Sequence, residues 1–97
     1  MSKTSPIHSI DYALALYGVT QRQVERASGM DQSTISRRAK LPIEEVPCDE
    51  LLKITAAITQ IARENTPAAE VSFHIEVVTD KNGGAKVKSV TSTMHLL

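Results

Sequence analysis

The chain is predicted to be an α+β protein, with an N-terminal bundle of about four short helices over residues 1–66 followed by a C-terminal β-hairpin over residues 67–97. Three observations carry this. Apolar residues recur with a period near 3.6 as far as Pro67 and with a period of 2 beyond it. Glycine and proline punctuate the first part at intervals suited to short helices. The only aromatics are Tyr12, Tyr17 and Phe73, so the core must be built from Ile, Leu, Val and Ala, and 97 residues suffice for one small core.

Taken in order, Ser5-Pro6 reads as a helix start, with the hydroxyl capping and proline in the first turn. Ile10, Ala13, Leu14 and Tyr17 then form an apolar stripe, and Gly18 ends it. Thr20 is placed to cap a second short helix whose buried side is Val24 and Ala27, closed by Ser28-Gly29. Asp31 is placed to cap a third, from Gln32 to about Arg38, with Ile35 and Ala39 inward. Leu41 to Pro47 holds two prolines and reads as a connector. A longer helix begins at Cys48 or Asp49, where Leu51, Ile54, Ile58 and Ile61 make the strongest helical period in the chain, Leu52 and Ala62 widen it, and Pro67 marks its end.

Beyond Pro67, Val71, Phe73, Ile75 and Val77 alternate with polar residues, and Asp80 to Gly84 is dense in turn formers. In the returning run Ala85 and Val87 share one parity, whereas Val90, Met94 and Leu96 share the other. A bulge near Lys88-Ser89 would keep both sets on one face.

Eleven basic and eleven acidic residues cancel, so bulk charge gives no argument for a nucleic-acid partner. Their distribution is more informative. From Thr20 to Lys40 the bases Arg22, Arg26, Arg37, Arg38 and Lys40 face only Glu25 and Asp31, while Glu44, Glu45, Asp49 and Glu50 follow as an acidic cluster. A lone Cys48 cannot make an internal disulfide or a thiolate metal cluster. His8, His74 and His95 lie in different elements, with no second ligand at metal spacing. No cofactor, metal or nucleophile–base motif is found, no stretch suits a membrane span, and the first ten residues lack the apolar segment of a secretory signal. A non-enzymatic cytoplasmic protein is expected.

The stretch Gln21 to Ala39, QRQVERASGMDQSTISRRA, has the layout of two short helices crossing steeply through a tight turn. Gly29 falls where that turn needs positive φ. Val24, Met30 and Ile35 are apolar where the pair must pack, and Gln32, Ser33, Ser36 and Arg37 are polar along one side of the third helix. Side chains of these types pair with base edges and phosphates in a major groove.

This segment resembles the helix-turn-helix of phage repressor and Cro-type DNA-binding proteins, also called XRE-like, over roughly Val19 to Lys40. The resemblance implies that Gln32 and Ser33 read bases, that Gln21 touches phosphate and braces Gln32, and that Ser36 and Arg37 face DNA. Arg22, Thr34, Arg38 and Lys40 complete the candidate DNA contacts. One departure stands out: where such proteins carry a small alanine five places into the motif, this chain has Glu25, so the two helices splay or Glu25 turns outward or pairs with an arginine such as Arg38.

A hairpin alone is marginal in water, so its apolar face must be covered by the long helix before it, by another chain, or by both, and packing on its own helices leaves an edge unpaired. Strand formers Val90 to Thr93 lie near that edge, and in Cro-like relatives a C-terminal strand serves dimerisation. The expected dimer interface is therefore Val71, Phe73, Ile75, Val77, Val90, Met94 and Leu96, and a two-fold pair would place two recognition helices about 34 Å apart on a palindrome. The expected function is a sequence-specific, double-stranded-DNA-binding transcriptional repressor. An antitoxin or anti-repressor whose hairpin captures a partner protein is the alternative from another class.

Overall fold

The computed structural model describes residues 2–97, in the order β1 (Ser2–Pro6), α1 (Ile10–Tyr17), α2 (Gln21–Ser28), α3 (Gln32–Ala39), a single 3-10 turn (Ile43–Glu45), α4 (Cys48–Asn65), β2 (Ala69–Thr79) and β3 (Ala85–Leu96). Four helices precede an antiparallel hairpin, which is the α+β arrangement expected. The sheet has a third strand that the sequence reading lacks. Ser5 and Pro6 do not open the first helix: they end β1, which lies antiparallel to β3 with Ser2 opposite His95 and Pro6 opposite Thr91. Helix α1 begins later, at Ile10, where Ser9 Oγ accepts from the Tyr12 backbone N–H. The strand order is β1-β3-β2, so β3 is central.

Each helix end follows from local chemistry. Thr20 and Gln23 form a reciprocal capping box at the start of α2, each side chain accepting from the other's backbone N–H at 3.2 and 2.9 Å. Gly18 and Gly29 close α1 and α2 at φ of +63° and +73°, a backbone region glycine enters without a Cβ penalty. Asp31 occupies the cap position of α3, but its side chain bonds no helix N–H. It accepts instead from Ser33 Oγ.

Leu51, Ile54, Ile58 and Ile61 of α4 are buried, together with Val24 of α2 and Ile35 and Ala39 of α3. Ala62 joins this stripe. Leu52 does not, and it stands exposed on the far side of α4. Ala27 is also exposed, because it faces a groove between α2 and α4 rather than the core. The connector is structural: Ile43 and Val46 are buried against the sheet, and the Ile43 N–H donates to the His8 carbonyl at 2.9 Å. Val87 and Val90 complete the same core from β3.

The bulge lies where the parity switch places it. Glu76 stands opposite Ser89 and Val77 opposite Val87, so Lys88 is the extra residue, and Val87 and Val90 are both buried. Tyr17 fastens α1 to the sheet twice, by a hydroxyl bond to buried Ser92 and by an edge-on contact with Phe73, ring centres 5.9 Å apart.

Candidate nucleic-acid interface

The two faces of α3 differ completely. Ile35 and Ala39, one turn apart, have no exposed surface, while Gln32, Ser33 and Arg37 are exposed and Ser36 half-exposed. Because positions three and four apart share a helix face, Gln32 and Ser36 form one outward row and Ser33, Arg37 and Lys40 the next. Thr34 sits half-buried at the margin. The polar row is therefore the solvent side of an eight-residue helix whose opposite side is anchored in the core.

That anchoring passes through α2. Val24 is fully buried, and Gly29 turns the chain with its N–H donating to the Glu25 carbonyl at 3.0 Å. The Met30 N–H then donates to Ser28 Oγ at 3.1 Å, and Met30 packs half-buried against the core. A Cβ on Gly29 would meet nothing within 4 Å, so this position selects glycine through backbone conformation alone. Glu25 is accommodated half-buried and makes no ion pair among the described residues.

Arg38 is arranged differently from its neighbours. Its Nε lies 2.5 Å from Glu50 Oε1, with 31% and 22% of the two side chains exposed, and this is the only ion pair among the described residues. Arg38 thus ties α3 to the first turn of α4, and its partner is Glu50 rather than Glu25. Arg22, Arg37 and Lys40 remain exposed and, among the described residues, free of ion pairs. Gln21 Nε2 donates weakly to Asp11 Oδ1 at 3.4 Å, which joins α2 to α1, and it makes no bond to Gln32. Asp31, Asp11 and Glu50 therefore shape this surface although the motif does not name them.

Of the apolar hairpin residues, Val71 and Val90 are buried in the protomer's own core, Phe73, Ile75 and Met94 are half-buried, and Val77 and Leu96 are exposed. The edge of β3 beside Thr91 to His95 is occupied by β1. Those strand formers are interior to the sheet, and the open edges belong to β1 and β2. His95 Nδ1 lies 2.7 Å from Ser2 Oγ, His8 stacks edge-on with Tyr12, and His74 is exposed on β2. No helix among the described residues is long and apolar enough to cross a membrane. Comparison of the chain with protein-family models, with curated proteins and with solved structures returns no match.

Proposed function

We propose that this chain is a sequence-specific double-stranded-DNA-binding transcriptional regulator, a Cro-like repressor that acts in the cytoplasm and reads a palindromic operator as a homodimer. One observation carries the reading: Gln32, Ser33, Ser36 and Arg37 stand together on the solvent side of a helix whose other side is locked at Ile35 and Ala39. A base-reading helix must be rigid behind and hydrogen-bonding in front, and a major groove admits one helix of this size.

The roles follow from side-chain chemistry. Gln32 has the paired donor and acceptor that match the adenine edge. Ser33 differs in one respect, because its only hydroxyl proton is given to Asp31, so its oxygen offers the groove an acceptor. Such an acceptor suits the amino group of adenine or cytosine. Arg37 serves guanine or phosphate, and Arg22 and Lys40 serve phosphates on either side. With a neutral chain overall, affinity rests on this local set.

A binding selection from random duplex sequence tests the proposal. An enriched inverted repeat with half-sites about one helical turn apart, roughly 34 Å, is the expected outcome. Recovery of no enriched sequence would sink it.

A further inference from the structure

We propose that two copies of this chain join through the outer edge of β2, antiparallel about a two-fold axis at His74, to make one continuous sheet. The backbone bonding pattern identifies which edge is open. The Leu97 N–H donates to the Ala68 carbonyl and the Asp80 N–H to the Gly84 carbonyl, both at 2.8 Å. In an antiparallel ladder the bonded pairs alternate, so even-numbered residues of β2 turn their backbone groups toward β3 and odd-numbered ones turn them outward. The Ala69 N–H fits this by bonding away from the ladder, to the Thr66 carbonyl at 3.0 Å. Val71, Phe73, Ile75 and Val77 therefore present N–H and C=O groups along a strand of 11 residues.

The other edge is blunted. The Ile7 N–H bonds the Val90 carbonyl, so by the same alternation Ser2, Thr4 and Pro6 face outward from β1, and Pro6 has no N–H to give. Strand β1 is five residues long, whereas β2 contains no proline and no lysine, the residues that usually protect an edge. Moreover, the outward-facing residues of β2 carry their side chains on the face of the sheet that packs on the helices. Burial fades along that row, from Val71 through half-buried Phe73 and Ile75 to Val77, which is 50% exposed.

A second copy of the same strand is the occupant that completes this row. Two antiparallel copies of one strand are related by an axis perpendicular to the sheet, which keeps the same face inward in both. With the axis at His74, all of Ala69–Thr79 overlaps, Val77 of one copy lies opposite Val71 of the other, and Phe73 lies opposite Ile75. On the outer face Glu76 then meets Ser72 of the second copy, and Glu70 meets Val78. Moving the axis to Phe73 would oppose Glu70 to Glu76, and moving it to Ile75 would oppose Glu70 to Asp80. An axis at Ser72 would leave Val77 opposite Pro67, outside the strand. The His74 register alone joins the apolar row without opposing carboxylates.

Sedimentation without DNA should find the wild-type chain dimeric. In a Cys48→Ser background, His74→Cys should form an intermolecular disulfide under mild oxidation, because a directly opposed non-hydrogen-bonded pair has Cα atoms about 4.5 Å apart, within disulfide reach. Thr4→Cys on the β1 edge should stay unlinked. Ile75→Pro removes an outward N–H that the protomer's own ladder does not use, and should give a monomer with unchanged helical circular dichroism. A wild-type monomer at all concentrations, or linkage at position 4 in preference to 74, would overturn the proposal. Should Ile75→Pro unfold, the cysteine pair still decides. Since every readout is taken without DNA, a failed interface leaves the DNA reading to stand or fall on the binding selection.

Discussion

The Arg38–Glu50 pair gives the sharpest test of how α3 is held. Its single contact of 2.5 Å is short, and the side chains are 31% and 22% exposed, neither free in solvent nor fully desolvated. Exposed pairs contribute about 0.2–1 kcal/mol and removal of one member of a buried pair costs about 3–5, so a pair screened to this degree should couple by about 1–1.5 kcal/mol. For a chain of this length each kcal/mol moves the melting temperature by roughly 4–8 °C, so Glu50→Ala and Arg38→Ala should each lower it by several degrees. The double substitution should cost little more than either single one. Chemical denaturation of the four proteins closes the cycle, and a coupling below about 0.3 kcal/mol, within the usual error of additivity, would refute the assignment. DNA binding supplies an independent arm. Because Glu50 already neutralises Arg38, Arg38→Ala should change the salt dependence of binding less than Arg37→Ala, whose loss from both protomers should flatten the slope by about 1.8, about 0.9 for each copy. Glu50→Ala should steepen it by releasing the Arg38 guanidinium toward phosphate. Equal slopes for Arg37→Ala and Arg38→Ala would show that the pair opens on DNA and that Arg38 is a phosphate contact after all.

Three further outcomes are expected. Gln32→Ala should relax base preference at one position of each half-site, at a cost of about 1–3 kcal/mol for the preferred base, with the rest of the selected motif unchanged in a repeat selection. Gly29→Ala should destabilise the fold by about 1–2 kcal/mol by urea titration, all of it from the left-handed backbone since the added methyl meets open space, and Gly29→Asn should cost less. Tyr17→Phe keeps the Phe73 contact but strips the partner from buried Ser92, so it should cost about 1–3 kcal/mol, and adding Ser92→Ala should recover part of that loss.

The helical elements and the hairpin are legible in the sequence wherever many residues vote together. Helix α4 is fixed by four branched or long aliphatic residues at regular spacing, and the bulge by a change of parity that admits one remedy. Strand β1 is not legible. SKTSP has no alternating apolar run and ends in proline, so its extended form is imposed by the edge of β3, a segment some ninety residues distant. Ala27 and Leu52 show a second limit. Helix α2 offers too few apolar residues to fix its inward direction, and where α4 approaches decides that Val24 is covered and Ala27 is not. Within the candidate site the polar row of α3 is readable, because helical spacing alone sets it opposite Ile35. The fate of Arg38 is not, since a long cation reaches DNA, water or a carboxylate according to what the next helix presents, and Glu50 lies twelve residues on.

The seating of β1 against β3 has a consequence for the order of assembly. Its contacts join residues as much as 93 positions apart, such as Ser2 and His95, whereas the crossing of α2 and α3 is made within a few turns of chain. Local contacts form quickly and distant ones slowly, so the α2–α3 pair can be shaped while residues 2–6 still wait for their neighbour to be synthesised. During that interval Ser5 and Ile7, both buried in the finished protein, lie open to solvent. A chain interrupted before Thr91 would carry the α2–α3 pair on an unfinished sheet, with no strand for residues 2–6 to join.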